Sequence, residues 1–239
     1  MERKGWNAMK KTGWILTLFL LSGCSLRVLD PASPYADKIT RLIYLSFGIM
    51  MLVFVVVMIL FVHFLKKFHE TSDRVDEIPV DESGNRKLEI TWTVLPVLLL
   101  VILAVPTVTT TYQLTSGASQ GEGGQDKERV IIHVKAEQFR WEFTYEGGEV
   151  SYDKLVLPLD KEVELRLTSE DVIHSFWAPN LAGKIDVFPD KETRLVFTAN
   201  KLGDFQGKCA EFCGSHHALM RFETTVMEAS AYETWLQDQ

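Results

Sequence analysis

The densest group of reactive side chains lies near the end of the 239-residue chain, in CAEFCGSHHALM at residues 209–220. This stretch holds two thiols, a carboxylate, two imidazoles and a thioether. Cys209 and Cys213 are four residues apart, His217 follows four residues later, and Met220 lies three beyond. Thiolate, imidazole and thioether together favour copper, whereas carboxylate-only sets suit magnesium or calcium. The stretch therefore predicts a copper site.

One ligand is expected from outside this stretch, and His174 in DVIHSFWAPN is the candidate. It follows the predicted strand VELRLTS and opens a loop. The copper segment lies between DFQGK and RFETTVM, which predicts a loop between the last two strands. Soft ligands on such a loop, with a histidine from an earlier loop, are typical of blue-copper-like domains.

The elements that must position these residues read as β-strands. Six short segments are rich in branched and aromatic residues and are separated by turn residues, which predicts an antiparallel β-sandwich or barrel for residues 129–239. The terminal SAYETWLQ has the spacing of a short helix. The six segments are RVIIHV, QFRWEFTY, KLVLPL, VELRLTS, TRLVFTA and RFETTVM.

Two uncharged stretches, residues 43–65 and 92–112, are each long enough to cross about 30 Å of hydrocarbon as a helix. Pro96 and Pro106 interrupt the second stretch, but membrane helices tolerate proline where neighbours satisfy the freed carbonyls. Residues 42–115 are therefore predicted to form a transmembrane helical hairpin.

The hairpin loop has an excess of basic residues. It carries five Lys or Arg, whereas residues 113–126 carry none, so the loop is predicted to be cytoplasmic. The N-terminus and the C-terminal domain then lie on the outer face of a bacterial plasma membrane. Residues 116–128, SGASQGEGGQDKE, have the composition of a flexible linker.

The N-terminus resembles a secretory signal, because four basic residues among the first eleven precede WILTLFLL and SGC. LSGC, ending at Cys24, resembles a bacterial lipoprotein box. This implies a signal peptide at residues 1–23, a lipidated Cys24 in contact with membrane lipid, and an external segment at residues 24–41. A plain signal peptide or a short core helix is the alternative.

The charge and the cysteine content argue against a nucleic-acid-binding protein and against a disulfide-rich protein. The net charge of −7 and the pI near 5.4 weigh against a nucleic-acid partner, which needs clustered Lys and Arg. Three cysteines, Cys24, Cys209 and Cys213, cannot build a multi-bridge disulfide framework. The chain has no C-x-x-C-H motif, so no covalently attached haem is expected.

The pattern C-x-E-x-C-x-x-x-H-x-x-M at residues 209–220 resembles that of cytochrome c oxidase subunit II. DVIHSFWAPNLAGKID, which contains His174, is similar to that family's segment with the other copper-binding histidine. LEITWTVLP is similar to part of its two-helix hairpin. The resemblance covers nearly the whole mature chain and implies a transmembrane α-helical hairpin followed by an all-β, cupredoxin-like Greek-key sandwich.

By this resemblance the site is the dinuclear copper centre CuA, in which Cys209 and Cys213 bridge two copper ions. The side chain of Glu211 would turn toward a magnesium ion shared with subunit I, and His216 would be a surface residue. The other implied copper ligands are the imidazoles of His174 and His217, the thioether of Met220 and the backbone carbonyl of Glu211.

The resemblance also implies a function. Electrons would arrive singly from a separate cytochrome c outside the membrane and pass to haem in oxidase subunit I, where oxygen is reduced to water. The chain would work beside subunit I and other oxidase subunits and would not itself reduce oxygen.

Three further residues are expected to contribute. The family commonly has two tryptophans in this region, two positions apart. The second aligns with Trp141, and this chain has Phe139 at the position of the first. Phe139 and Trp141 are both candidates for electron uptake. A phenyl ring can exclude water but lacks the indole N–H, and core packing is the alternative role. Glu89 in LEITWT resembles a glutamate at the mouth of a proton channel in subunit I; an ordinary solvated acid is the alternative.

Three acidic residues flank the His174 loop and could form an acidic face for a basic cytochrome. Such charges are also common on any solvated surface. They are Glu170, Asp171 and Asp186.

Three alternative classes share parts of this pattern. A membrane-anchored copper chaperone or thiol oxidoreductase would also use a C-x-x-x-C pair, but there the cysteines should open a helix. A quinol-oxidase relative would have the same hairpin and sandwich without the copper ligands. A structural zinc site would leave the methionine and glutamate of the motif unexplained.

Overall fold

The computed structural model describes residues 27–69, 83–119 and 129–238, the side chains of residues 116–119 excepted. The predicted signal peptide, the lipidation site Cys24, most of the hairpin loop and residues 120–128 of the predicted linker lie outside the described residues. Within these ranges the chain forms two long helices, ten β-strands and a short C-terminal helix.

Helix α1 (Pro34–Lys67) begins at a well-formed cap. The Ser33 side chain accepts a hydrogen bond from the Ala36 amide at 2.9 Å, and proline occupies the first helical position, where its missing N–H costs nothing. Two lysines in the last turn interact favourably with the helix dipole. The helix thus starts eight residues before the predicted hairpin boundary at residue 42.

Helix α2 (Arg86–Ser119) continues through Pro96 and Pro106 without ending. The most apolar windows have a mean hydropathy of 3.0 in α1 and 2.4 in α2, and no residue of either window is buried. A helix that exposes apolar side chains all round is stable only in lipid or against another protein. The two helices are confirmed as elements long and apolar enough to cross a membrane.

Residues 130–227 form two five-stranded sheets that pack face to face. The strand orders are β3-β2-β1-β5-β8 and β4-β10-β9-β6-β7. This confirms the predicted fold class of a helical hairpin with an all-β, cupredoxin-like sandwich. The strands are β1 (Val130–Glu137), β2 (Arg140–Tyr145), β3 (Val150–Tyr152), β4 (Lys154–Pro158), β5 (Glu162–Ser169), β6 (His174–Trp177), β7 (Ile185–Val187), β8 (Thr193–Thr198), β9 (Gly203–Cys209) and β10 (Arg221–Met227).

Two strand pairs are parallel, β1 with β5 and β4 with β10, although the sequence pattern predicts antiparallel pairing. Alternating burial shows which side chains face the core, but it does not reveal the direction of a neighbour that is distant in sequence. The consecutive strands β4 and β5 lie in different sheets, so the chain crosses the core between them.

Aromatic rings join the two sheets. Phe176 of β6 stacks on Phe222 of β10 with ring centroids 4.7 Å apart, and Trp141 of β2 meets Phe176 edge-on at 5.6 Å. A Cβ atom at Gly207 of β9 would lie 2.1 Å from the Phe222 ring, so only glycine fits there. Burying each ring contributes about 1.5–3 kcal/mol and holds β6, β9 and β10 together.

The C-terminal helix α3 (Ala229–Gln237) confirms the predicted terminal helix. Its Tyr232 is buried, and its Trp235 meets the Tyr145 ring of β2 at 4.9 Å. These contacts close the end of the sandwich at which β2 finishes.

Residues 30–33, here called the N-terminal strap, dock on the sandwich as an extra piece of backbone. The Ala32 amide donates to the Asn180 carbonyl at 2.7 Å, and the Asn200 amide donates to the Ala32 carbonyl at 2.9 Å. The Ala32 side chain is fully buried. The strap therefore bridges the segments that follow β6 and β8.

Side chains hold the same strap. Asn180, 3% exposed, donates from Nδ2 to the Asp30 carbonyl at 2.6 Å, and the Ser33 hydroxyl donates to the Leu181 carbonyl. Lys201 forms an exposed ion pair with Asp30 at 2.8 Å. The strap thus ties the start of α1 to the sandwich.

We expect Asn180→Ala to lower the free energy of unfolding by about 1–3 kcal/mol, because it removes the buried amide side chain that donates to the half-buried Asp30 carbonyl. Lys201→Ala, which removes only the water-screened ion pair to the same residue, is the matched control and should cost less. Thermal unfolding of the detergent-solubilised full chain measures both. Equal losses in the two variants would contradict a buried, structural strap.

Candidate metal centre

The pairing of β6 with β9 brings His174 close to the cysteine-containing loop. His174 is the first residue of β6 and Cys209 the last residue of β9, and these antiparallel neighbours place Phe176 opposite Cys209. His174 thus lies at the start of a strand and not in a loop as the sequence predicts. Short strands such as β6 have too few residues to show alternation.

The segment from Cys209 to Met220 is a closed loop. The Cys209 amide donates to the Met220 carbonyl at 2.9 Å, so both ends of the loop meet at the mouth of the β9–β10 pair. A 3₁₀ turn, His217–Leu219, precedes Met220. This turn directs His217 back toward the cysteines.

The predicted ligand atoms surround one small space. The Cys209 and Cys213 Sγ atoms are 3.9 Å apart, and the Cys209 Sγ lies 3.8 Å from His174 Nδ1 and 3.2 Å from the Glu211 carbonyl oxygen. Ligand atoms of His174, Cys209 and Cys213 all lie within 4.8 Å of one another. Both cysteines are free thiols.

The second cysteine has its own neighbours. Its Sγ lies 3.6 Å from His217 Nδ1 and 3.8 Å from the Met220 Sδ. Metal ions bind thiolate sulfur at about 2.3 Å and imidazole nitrogen at about 2.0 Å, so separations near 4 Å leave room for an ion between each such pair. The donor set therefore fits a soft transition metal.

Burial keeps most of the donors dry. His174 and Met220 are fully buried and the two cysteines nearly so, whereas His217 is half-buried. The neighbouring His216 is exposed, and its Nδ1 lies 3.0 Å from the Ser215 hydroxyl rather than near a sulfur. The geometry therefore favours His217 over His216 as a ligand.

Asp171 holds the His174 ring in place. Its carboxylate accepts a hydrogen bond from His174 Nε2 at 2.8 Å, which leaves Nδ1 facing Cys209. The same carboxylate accepts a second hydrogen bond from the backbone N–H of Gln138 at 2.8 Å. Burial disfavours the charged carboxylate, but these hydrogen bonds prevail and lower the pKa of Asp171.

The sequence predicts Asp171 only as part of an acidic face, although its position three residues before His174 is the signal that could have revealed this contact. Of the other two residues of that face, Glu170 approaches Lys135 at 3.5 Å and Asp186 is exposed on β7. The three carboxylates thus have different surroundings.

The two thiols have opposite protonation preferences. Burial disfavours ionisation of Cys209, but the hydrogen bond from His174 and backbone contacts outweigh burial and lower the pKa of Cys209 to about 6. Burial and the neighbouring Cys209 thiolate raise the pKa of Cys213 to about 12. At neutral pH the metal-free pair therefore carries one negative charge, shared between interacting sites.

The two candidates for electron uptake have different positions. Trp141 is fully buried, with its ring centroid 6.2 Å from that of His174. Phe139 is partly buried, packs over Gly214 of the metal loop and meets the His216 ring at 5.2 Å. Of this pair, Phe139 is the one that a docking protein can touch.

Glu89 is not part of this centre. It is exposed in the first turn of α2, at the opposite end of that helix from the sandwich. The α2 helix has 34 residues and is about 51 Å long, so the carboxylate is remote from the sulfur cluster.

Family comparisons agree with this arrangement. The family model described as cytochrome c oxidase subunit II, periplasmic domain, matches residues 148–228, and the model for the transmembrane domain of the same subunit matches residues 22–110. A relative from Bacillus cereus, named quinol oxidase subunit 2, is 31% identical over 96% of this chain and 81% of its own length. The chain belongs to the cytochrome c oxidase subunit II family.

Within the cytochrome c oxidase subunit II family, a relative from Alkalihalophilus pseudofirmus, named cytochrome c oxidase subunit 2, is 42% identical over 93% of this chain. The chain spans 65% of the length of that relative. Among solved structures, the periplasmic domain of subunit II of cytochrome oxidase from Bradyrhizobium japonicum is 27% identical, with a TM-score of 0.45, over 48% of this chain and 94% of that one.

The thiol pair can be titrated directly. In a reduced, metal-free chain carrying Cys24→Ser, thiolate ultraviolet absorbance should rise in one step near pH 6 and in a second only in strongly alkaline solution. Because the folded pKa of Cys209 lies below its unfolded value of about 8.5, its thiolate stabilises the fold above that value. This stabilisation is lost as the pH falls through about 6.

Single substitutions assign the two steps. Cys209→Ser should abolish the step near pH 6, whereas Cys213→Ser should retain a low-pH step, because His174 still faces Cys209. Two thiols that ionise together near the ordinary value would refute the asymmetry.

Proposed function

We propose that this chain is the electron-accepting subunit of a cytochrome c oxidase. Its residues would hold two copper ions as a CuA centre, which would supply one-electron transfer from a cytochrome c outside the membrane to haem in subunit I, where oxygen is reduced to water. The observation that carries the proposal is the buried cluster in which two thiols face each other, each with its own imidazole.

The paired donors favour two metal ions over one. Cys209 lies next to His174, and Cys213 lies next to His217. A single blue-copper ion needs only one thiolate with two imidazoles, and a zinc ion would leave Met220 without a function. Cys209 and Cys213 would hold two copper ions, and such a pair would share a one-electron change.

The residues of the chain hold these donors and exclude water. Asp171 orients the His174 ring, and the Cys209–Met220 backbone hydrogen bond closes the loop. Such support limits ligand movement when the charge of the centre changes. Phe176, behind the cluster, is fully buried and keeps water from its core side.

The opposite side of the loop suits a partner subunit. Phe212 and Leu219 are large apolar residues that are 77% and 71% exposed beside the cluster. Exposed apolar residues beside a functional site favour a protein contact. We assign this side to subunit I, with the exposed Glu211 carboxylate turned toward a shared magnesium ion.

The remaining roles follow from the same assignment. The hairpin spans the bacterial plasma membrane twice, with the sandwich on the outer face, in contact with the other oxidase subunits. Glu89 then lies at the inner end of α2, where a carboxylate can collect protons for subunit I. Lipidation at Cys24 adds a second anchor in the outer half of the membrane.

A thiol oxidoreductase fits less well. Its attacking cysteine is typically exposed, often at a helix start, whereas Cys209 is 2% exposed at the end of a strand and Cys213 is 4% exposed in a loop. Met220 has no part in thiol exchange.

Copper loading of the detergent-solubilised full chain tests the proposal. We expect two copper ions per chain and a seven-line hyperfine pattern in the electron paramagnetic resonance spectrum. His217→Ala should disturb this pattern, whereas the adjacent exposed His216→Ala should preserve it. A four-line, single-copper spectrum, zinc alone, or a Cys209–Cys213 disulfide without metal would refute the dinuclear centre.

Electron uptake can be tested at the surface. Phe139→Ala removes an aromatic contact worth about 0.5–1.5 kcal/mol, so reduction of the copper-loaded chain by cytochrome c should slow about two- to tenfold. Stopped-flow absorbance measures this rate, with copper content checked in parallel. The control is Leu202→Ala, which changes an exposed apolar residue directly before β9, at the opposite end of that strand from Cys209. Equal rates in Phe139→Ala and the unaltered chain would exclude this route.

A further inference from the structure

A cavity of about 320 Å³ lies where the helical hairpin meets the sandwich. Its walls come from the first turns of α1, the outer end of α2, and residues of β5 and β8 together with Arg129. None of the predicted metal ligands lines it. The volume is at the low end of the range of about 300–1,000 Å³ typical of small-molecule sites.

The cavity lies at the edge of the apolar part of the hairpin. Lys38 of α1 precedes the uncharged stretch at residue 43 by five positions, or about 7.5 Å of helix. Gln113 of α2 directly follows the stretch that ends at residue 112. Headgroup layers add about 5–8 Å to each side of the hydrocarbon. In a hairpin that crosses the membrane, the cavity is therefore at headgroup level.

One positive charge in the cavity is not balanced by any of the described residues. Lys38 Nζ donates to the Gln113 amide oxygen at 3.1 Å, and within the described residues no carboxylate lies at ion-pair distance from it. Arg41, three residues along the same helix, is already paired with Asp37 at 2.8 Å. The lysine therefore has a free positive charge, whereas the neighbouring arginine does not.

Among the described residues, the other charges near the cavity balance one another. Arg129 contacts Glu162 and approaches Glu164 at 3.6 Å, and Glu164 also binds Arg166 at 2.9 Å. With Lys38, this makes three cations and two carboxylates. The surplus of one positive charge matches a singly charged phosphodiester.

Neutral donors complete the site. The Tyr35 ring lines the cavity, and its phenol O–H is a hydrogen-bond donor. The Gln113 amide accepts from Lys38 through its oxygen, which leaves its NH₂ group to donate. Both groups can hydrogen-bond phosphate oxygens beside the ammonium.

We propose that this cavity binds the phosphodiester headgroup of an anionic phospholipid from the outer half of the membrane, with Lys38 as its charge partner. The acyl chains lie along the exposed apolar faces of α1 and α2. The bound lipid joins the hairpin to the sandwich at a point separate from the N-terminal strap. This rests on the part of the proposed function that places the hairpin across a membrane and is independent of copper.

Thermal unfolding of the full chain in lipid nanodiscs tests the site. Discs containing phosphatidylglycerol should raise the unfolding midpoint by about 2–4 °C or more over discs of phosphatidylcholine alone. Lys38→Gln should abolish this shift, whereas the matched Arg41→Gln should retain it. Loss of the shift in both variants, or no shift in the unaltered chain, would overturn the proposal.

Two further experiments test the source of the phosphate group and provide a second variant in case Lys38→Gln does not fold. Inorganic phosphate added to phosphatidylcholine discs should leave the midpoint unchanged; an equal rise would assign the site to a free anion and overturn the lipid assignment. If Lys38→Gln does not fold, Tyr35→Phe, which keeps the ring, should still reduce the phosphatidylglycerol shift, and an unreduced shift would contradict the site. Failure to enter either kind of disc would instead refute the membrane-spanning hairpin, and copper spectra of the same samples report on the metal centre alone.

Discussion

The pairing of β6 with β9 is the contact on which the metal centre depends. It sets His174 beside Cys209, two residues that are 35 positions apart in the chain. The pairing is held from behind by Phe176, which stacks on Phe222, and Gly207 leaves the space that Phe222 fills. The centre therefore depends on a packed aromatic core, which resists movement more than a loop alone would.

The charges and hydrogen bonds around the two cysteines favour one thiolate, which can bind a cation. Cys209 is buried, yet it faces the His174 ring, whose protonated form donates to both Cys209 and Asp171, so the thiolate is favoured in spite of burial. A second thiolate beside it is disfavoured because two negative charges in a poorly hydrated space repel strongly. A positively charged metal removes that repulsion, and metal binding and the second deprotonation are consequently linked.

The sandwich is also attached to the membrane anchor at a defined place. The strap before α1 binds Asn180 and Leu181, in the segment that directly follows the strand of His174. The hydrogen bond between Lys38 and Gln113 joins the two long helices at their ends nearest the sandwich. Few residues separate the strand of His174 from the segment that the strap binds, so direct contacts constrain the position of the candidate metal centre relative to helix α1.

The sequence by itself determined the local features. The candidate ligands at residues 209–220 could be read from spacing because they are contiguous, the long helices from uncharged stretches, and six of the ten strands from composition. The tertiary structure alone decided that His174 begins a strand, that Asp171 supports its ring, that Trp141 is buried while Phe139 reaches the surface, and that the strap docks beside β6. Periodicity reports which side chains are buried, but the identity of their neighbours is decided by packing between residues far apart in the chain.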